Sequence, residues 1–222
     1  MPAGKYSFYL HPDDRTDVAA TATLASVSQP MRGEFFRTSV IAGCILYRID
    51  SRLPGLLTEL FDGQLRCGQF LSLLGAISGH YQVTADVEID ELSSVQSVIQ
   101  DAQTERRRFT LQLLDDEASA ETAVLLESLP SRVRGQQLRN LLIAGFALHT
   151  LDARFPRLLA TLPTPPTCFR ELEALARQVT GIQMVAPSER QKLSQKEEFT
   201  QPTKDITAEH SSEIIQKMKK LF

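Results

Sequence analysis

The sequence predicts a mainly α-helical fold with two short β-strands: tandem strand-helix-helix units that pair as an intramolecular pseudo-dimer, each followed by short helices. Three observations predict it. The chain repeats itself about a hundred residues on, each copy opens with period-two alternation, and helical apolar spacing follows. The repeat emerges when residues 33–60 are shifted forward by 102 positions. Gly33, Arg37, Ile41, Ala42, Gly43, Leu46, Asp50, Arg52, Pro54, Leu56, Leu57 and Leu60 then fall on Gly135, Arg139, Ile143, Ala144, Gly145, Leu148, Asp152, Arg154, Pro156, Leu158, Leu159 and Leu162, twelve identities in 28 positions without a gap. Two copies are too few for a solenoid, which stacks at least three units. A tandem pair instead suggests a dimer-forming unit whose two halves have been fused.

The strands come first. Tyr6, Phe8 and Leu10 alternate with Lys5, Ser7, Tyr9 and His11, and Phe109, Leu111 and Leu113 alternate with Arg108, Thr110 and Gln112. Period two over five or six residues reads as a half-buried strand. Each strand stops at capping residues, Pro12-Asp13-Asp14 and Asp115-Asp116, whose side-chain oxygens accept from the unpaired amides of a new helix. The first helices are expected to end near Val27 and Leu129, with Pro30 and Pro130 in the connections that follow.

The second helices are expected to begin near Arg32-Gly33 and Arg134-Gly135. Phe36, Val40, Ile41, Cys44 and Ile45 keep three-and-four spacing, as do Leu138, Leu141, Leu142, Gly145 and Leu148. Two shorter helices follow in each copy, Pro54 to Phe61 and Cys67 to Ile77, then Pro156 to Leu162 and Phe169 to Val179. Proline suits the first turn, where its missing N–H leaves nothing unpaired.

These elements divide the chain into a first unit at 1–81, an acidic linker at 82–106, a second unit at 107–181, a linker at 182–207 and a tail at 208–222. The linker 182–207 is polar with little to bury. In the tail, Ile214, Ile215, Met218, Leu221 and Phe222 form one apolar stripe flanked by Lys217, Lys219 and Lys220. A helix this short is marginal alone in water and is expected to order on a partner's groove.

Composition narrows the function classes. The net charge of −3 opposes a uniformly basic nucleic-acid surface. Residues 82–106 alone carry a balance of −5, so each copy is near neutral and any DNA contact must come from a local patch. No cationic start precedes an apolar stretch, and Leu141 to Leu148 is the longest apolar run, so neither a signal peptide nor a membrane span is expected. The odd trio Cys44, Cys67 and Cys168 reads as buried reduced thiols in a cytoplasmic protein. His11, His80, His149 and His210 have no metal-ligand spacing with the cysteines. Neither GxxxxGK[ST] nor GxSxG occurs. Catalysis, a metal and a cofactor are therefore not expected.

A lone strand leaves its edge groups unpaired, but two such units can pair their strands antiparallel and interlock their helices. That is the ribbon-helix-helix arrangement, whose two-stranded ribbon enters the DNA major groove. The base-facing candidates are Lys5, Ser7 and Tyr9 from one strand and Arg108, Thr110 and Gln112 from the other. The phosphate candidates are the second-helix starts, Arg32-Gly33 and Arg134-Gly135, where amides and the helix dipole favour an anion. The two strands differ in sequence, so an asymmetric DNA site is expected.

The run AGCILYRIDSRLPGLLTELF, Ala42 to Phe61, resembles the region after the DNA-binding unit in the ParR family, also called StbB, the adaptors of actin-type plasmid partition. Phe8-x-Leu10-x-Pro12-Asp13 fits that family's strand-to-helix start, and the Lys-rich apolar last turn resembles its tail. The resemblance implies a bacterial, plasmid-associated adaptor that binds centromere-like DNA repeats and self-associates into arrays. It also implies that the tail (Ile214, Ile215, Met218, Lys219, Leu221 and Phe222) engages an actin-like ATPase filament, and that the protein represses its own operon. The usual member carries one copy and homodimerises. Two rivals stay open: a ribbon-helix-helix antitoxin, and a relaxosome accessory protein of conjugation.

Overall fold

The computed structural model describes residues 4–79 and 106–181, all within the first of the chain's two units, residues 1–182. The expected linkers at 82–106 and 182–207 (Arg106 apart) and the tail at 208–222 lie outside the described residues. The first copy contains β1 (Lys5–Leu10), α1 (Arg15–Ser26), a 3₁₀ turn (Gln29–Met31), α2 (Arg32–Ile49), α3 (Leu53–Leu60) and α4 (Cys67–Ser78). The second contains β2 (Arg107–Gln112), α5 (Glu117–Ser128), α6 (Ser131–Leu151), α7 (Phe155–Thr161) and α8 (Phe169–Thr180).

The two strands form one antiparallel sheet in which Tyr6 faces Leu111, Ser7 faces Thr110 and Phe8 faces Phe109. The Leu113 amide donates to the Gly4 carbonyl at 3.1 Å and extends the ladder by one bond. Alternation sends Phe8, Leu10, Leu111 and Leu113 into the core, each at most 2 % exposed. There the aromatic rings lock the ribbon onto the long helices. Phe8 meets Phe36 edge-on at 5.7 Å and stacks on Phe109 at 5.5 Å, while Phe35 stacks on Phe146 at 4.7 Å.

Capping follows the sequence in both copies. Asp14 accepts from the Asp17 amide at 3.1 Å, and Asp116 accepts from the Ser119 amide at 2.8 Å. Between strand and cap each copy has three residues, His11-Pro12-Asp13 and Leu113-Leu114-Asp115.

The second helix of copy two begins three residues before the expected Arg134, at Ser131, directly after Pro130 at its N-cap. In copy one the matching turn, Gln29–Met31, winds as 3₁₀ before α2 starts at Arg32. Pro30 sits in the first turn of that segment, so both prolines belong to helix entries.

Both second helices end on the same clasp. The Asp50 carboxylate accepts from the Arg52 amide at 2.8 Å and from its guanidinium at 3.0 and 2.7 Å. Asp152 holds Arg154 at 2.8, 3.0 and 2.8 Å. These bonds hold both carboxyls below the usual carboxylate range. Pro54 and Pro156 then open the third helices in their first turns.

The copies interlock and do not merely touch. α2 packs along α6, α3 packs on α6, and α7 packs on α2, so each third helix lies against the other copy's second helix. The Thr58 hydroxyl reaches the Asn140 carbonyl at 3.4 Å, and the Leu65 amide donates to the Thr150 hydroxyl at 2.9 Å. α4 packs on α8, and each ends at a left-handed glycine, Gly79 (φ 73°) and Gly181 (φ 72°). Glycine suits both positions because it has no Cβ to resist positive φ.

The α2–α6 crossing depends on two other glycines. A Cβ on Gly43 would strike the Leu141 backbone carbonyl, and one on Gly145 would strike that of Ser39. Gly43 and Gly145 are repeat equivalents, so the same close approach is made twice. By contrast, a Cβ on Gly135 meets nothing within 4 Å. Gly43→Ala or Gly145→Ala is expected to lower stability by about 2–3 kcal/mol through overpacking against rigid backbone. Gly135→Ala is expected to raise it by about 0.5–1 kcal/mol through helix propensity. Urea midpoints of the three variants check this directly.

His149, the counterpart of Tyr47, packs edge-on against Phe35 at 4.8 Å, with its Nδ1 3.2 Å from the Ala153 carbonyl. Burial pulls its pKa below the ordinary histidine value, against smaller opposing effects of the Ala153 carbonyl and Asp152. The folded state therefore takes up this proton less readily than the unfolded chain. Stability is expected to fall as pH drops through about 6.5 and to level off below the folded pKa. His149→Gln should remove that component, which denaturant titrations across this range would read.

Candidate nucleic-acid interface

The outer face of the ribbon is built by the same alternation that fills the core beneath it. Every residue expected to face outward does so in cross-strand pairs: Lys5 opposite Gln112, Ser7 opposite Thr110, and Tyr9 opposite Arg108. Ser7 is half-buried and the other five are exposed. The face is partly ordered by its own contacts. Arg108 Nη2 donates to Ser7 Oγ at 3.0 Å, and the Arg106 guanidinium lies over the Tyr9 ring, 4.7 Å from its centroid. Such a contact restrains both side chains without removing the charge.

On the opposite face, the Tyr6 hydroxyl donates to the Glu127 carboxylate at 3.2 Å. Burial, seconded by Glu127, raises the Tyr6 pKa, so its hydroxyl stays protonated.

The expected phosphate residues are arranged differently from the sequence reading. Arg32 Nε donates to the Val27 carbonyl at 3.1 Å, and Arg134 Nη2 donates to the equivalent Leu129 carbonyl at 3.0 Å. Both guanidiniums thus tie down the connection between the first and second helices. The Arg32 amide bonds the Gln29 carbonyl and the Arg134 amide bonds the Pro130 carbonyl. Gly135, in the fifth position of α6, lies inside the helical ladder. Gly33 and Gly135 remain exposed. The open helix start in copy two is therefore Ser131-Arg132, a turn earlier than expected.

Sequence reasoning missed the ionic joints that hold the two copies in this arrangement. Arg37 on α2 reaches Asp116, the N-cap of α5, at 3.0 Å, and Arg139 on α6 reaches Asp14, the N-cap of α1, at 3.0 Å. Each cap aspartate thus serves a helix of its own copy and an arginine of the other. The second acid differs between copies. Arg37 is also held by Glu34 at 2.8 Å, whereas Arg139 donates to Asp17 at 2.6 Å. Asp17 is 1 % exposed and also accepts from the His11 amide at 2.8 Å. The available signal was the identity of Arg37 with Arg139 and of Asp14 with Asp116 at one offset.

The cysteines depart from the expected uniform burial. All three are free, but only Cys44 is buried, with its thiol pushed up to about 12 by desolvation. Cys67 is half-buried with Sγ 3.4 Å from the Thr180 hydroxyl, and Cys168 is the exposed N-cap of α8. Apolar neighbours in sequence suggested burial; a helix start is instead a surface position. Among the described residues, no group of three or more His, Cys, Asp or Glu side chains could hold a metal ion. Among them, too, no helix is long and apolar enough to cross a membrane.

The geometry defines a class: two copies of one strand-helix-helix unit, sharing a two-stranded antiparallel sheet with a polar, solvent-facing side. The chain belongs to the family described as plasmid stability protein, whose model matches twice, at residues 4–74 and 107–176. Protein StbB of Escherichia coli is 35 % identical over 72 residues, which cover 32 % of this chain and 62 % of that protein. The match thus spans just under two thirds of that relative's length. No solved structure matches the chain.

Removing Arg139 should show how unequal the two joints are. Arg139→Met would strand the buried Asp17 charge and is expected to lower stability by about 3–5 kcal/mol. Arg37→Met should lower it by about 1 kcal/mol or less, because Glu34 and Asp116 are 40 % and 39 % exposed. Equal losses in chemical denaturation would contradict this assignment.

Proposed function

We propose that the chain is a plasmid partition adaptor of ribbon-helix-helix type. Its ribbon lies in the major groove of centromere-like repeats, and Lys5, Ser7, Tyr9, Arg108, Thr110 and Gln112 face the bases. The observation that carries this reading is the set of three outward cross-strand pairs on a ribbon held against two interlocked helix pairs. A ribbon in this setting presents donors and acceptors at the width a major groove admits. Phosphates flanking the groove would meet the exposed second-helix starts, Gln29–Met31 and Ser131-Arg132, with Arg32, Gly33, Arg134 and Gly135 in the turns beside them.

Family membership supports a role in plasmid maintenance. Within it, the protein would self-associate into arrays along repeated sites in the bacterial cytoplasm. Residues Ile214, Ile215, Met218, Lys219, Leu221 and Phe222 would engage an actin-like ATPase filament, leaving ATP hydrolysis to that partner. Binding upstream of its own operon would also make it a repressor.

Fluorescence anisotropy against fragments tiling the operon's upstream DNA, in a salt series with competitor, tests the DNA half. One repeat-containing fragment should bind tightly. Arg108→Ala and Lys5→Ala should each weaken it by about 1–3 kcal/mol and relax sequence preference. A variant that also gave up a phosphate contact would flatten the salt dependence by about one unit of slope. Equal affinity for every fragment, or variants that bind like the parent, would reject the reading. If DNA binding holds but the tail captures a toxin in place of a filament, the antitoxin alternative wins.

A further inference from the structure

The two ends of the ribbon differ chemically, although the fold around them is nearly two-fold. The pair Ser7–Thr110 marks the middle. One end carries Lys5 beside Gln112, and the other carries Tyr9 beside Arg108. Around that midpoint Lys5 corresponds to Arg108 and Tyr9 to Gln112. A homodimer would present the same chemistry at both ends; this chain does not.

The difference is structural as well as compositional. Arg108 is solvent-exposed yet restrained by its 3.0 Å bond to Ser7 Oγ on the opposite strand. A restrained guanidinium suits bidentate contact with guanine O6 and N7, whereas Lys5 offers only a point charge on a flexible stem. Tyr9, beside Arg108, is held under the Arg106 guanidinium at 4.7 Å. Its counterpart Gln112 carries the primary amide that pairs with adenine N6 and N7.

We propose that the ribbon reads a non-palindromic site in one orientation only, with Arg108 on a guanine in one half-site and Gln112 on an adenine in the other. This rests on the DNA-binding reading above. It follows that chains bound in a common direction require their sites as direct repeats and not as inverted ones.

The test is selection of a randomised duplex library by the full-length protein, beside the double variant Lys5→Arg/Tyr9→Gln and the single variant Gln112→Ala. All three positions are solvent-facing, and thermal unfolding of each variant confirms that the fold is retained. The parent should select an asymmetric consensus and bind it at least about tenfold tighter than a palindrome built from either half. The double variant gives both ends the same pair of side chains and should move the consensus to a palindrome. Gln112→Ala should lose discrimination in the adenine half alone.

A palindromic consensus from the parent would overturn the inference while leaving DNA binding intact. So would an asymmetric consensus that the double variant leaves unchanged, since the asymmetry would then arise elsewhere. Selection of no consensus at all would overturn both the inference and the DNA-binding reading beneath it.

Discussion

The crossing of α2 and α6 is the constraint from which the rest of the structure follows. Two backbones approach so closely at Gly43 and Gly145 that any side chain there would collide with the other helix's carbonyls. That approach sets the distance between the copies. It brings α7 onto α2 and α3 onto α6, and it places β1 and β2 within pairing range above the crossing. Dispersion and burial do the stabilising, but only because nothing larger than hydrogen occupies those two positions.

Around this nearly symmetric centre the side chains have diverged in compensating ways. Phe36 stands where the second copy has Leu138, and Phe146 stands where the first has Cys44. The aromatic cluster linking Phe8, Phe35, Phe36, Phe109 and Phe146 therefore draws its bulk unequally from the copies. The ionic joints behave likewise. One arginine finds its second carboxylate on its own helix at Glu34, the other in the partner copy's buried Asp17. Core volume and charge balance thus close over the pair and not over each copy, and neither half could replace the other without a void or an orphaned charge.

What the sequence made legible was what depends on near neighbours. Alternation placed β1 and β2, aspartate before a helical run placed the caps, and Pro54 and Pro156 placed the third helices within a residue. The start of α6 was misplaced because Arg134-Gly135 looked like a boundary, whereas Pro130 already supplied one. Cys168 was misjudged because apolar spacing was read across a helix start, where exposure is the rule. The ribbon's outward residues followed from period two alone; their cross-strand partners needed the register. The Arg37–Asp116 and Arg139–Asp14 joints were hidden because their partners are separated by 79 and about 125 positions. Identity at a fixed offset flagged those residues, but only the interlocked helices give them a reason.

The pairing of β1 with β2 inside one chain also changes how assembly responds to dilution. A ribbon shared by two separate subunits exists only while the subunits find each other, and its stability rises and falls with protein concentration. Here the second strand is tethered to the first, so its effective concentration is fixed by the connecting chain and not by expression level. A cell holding a few molecules would carry complete ribbons, each formed at synthesis and independent of every other.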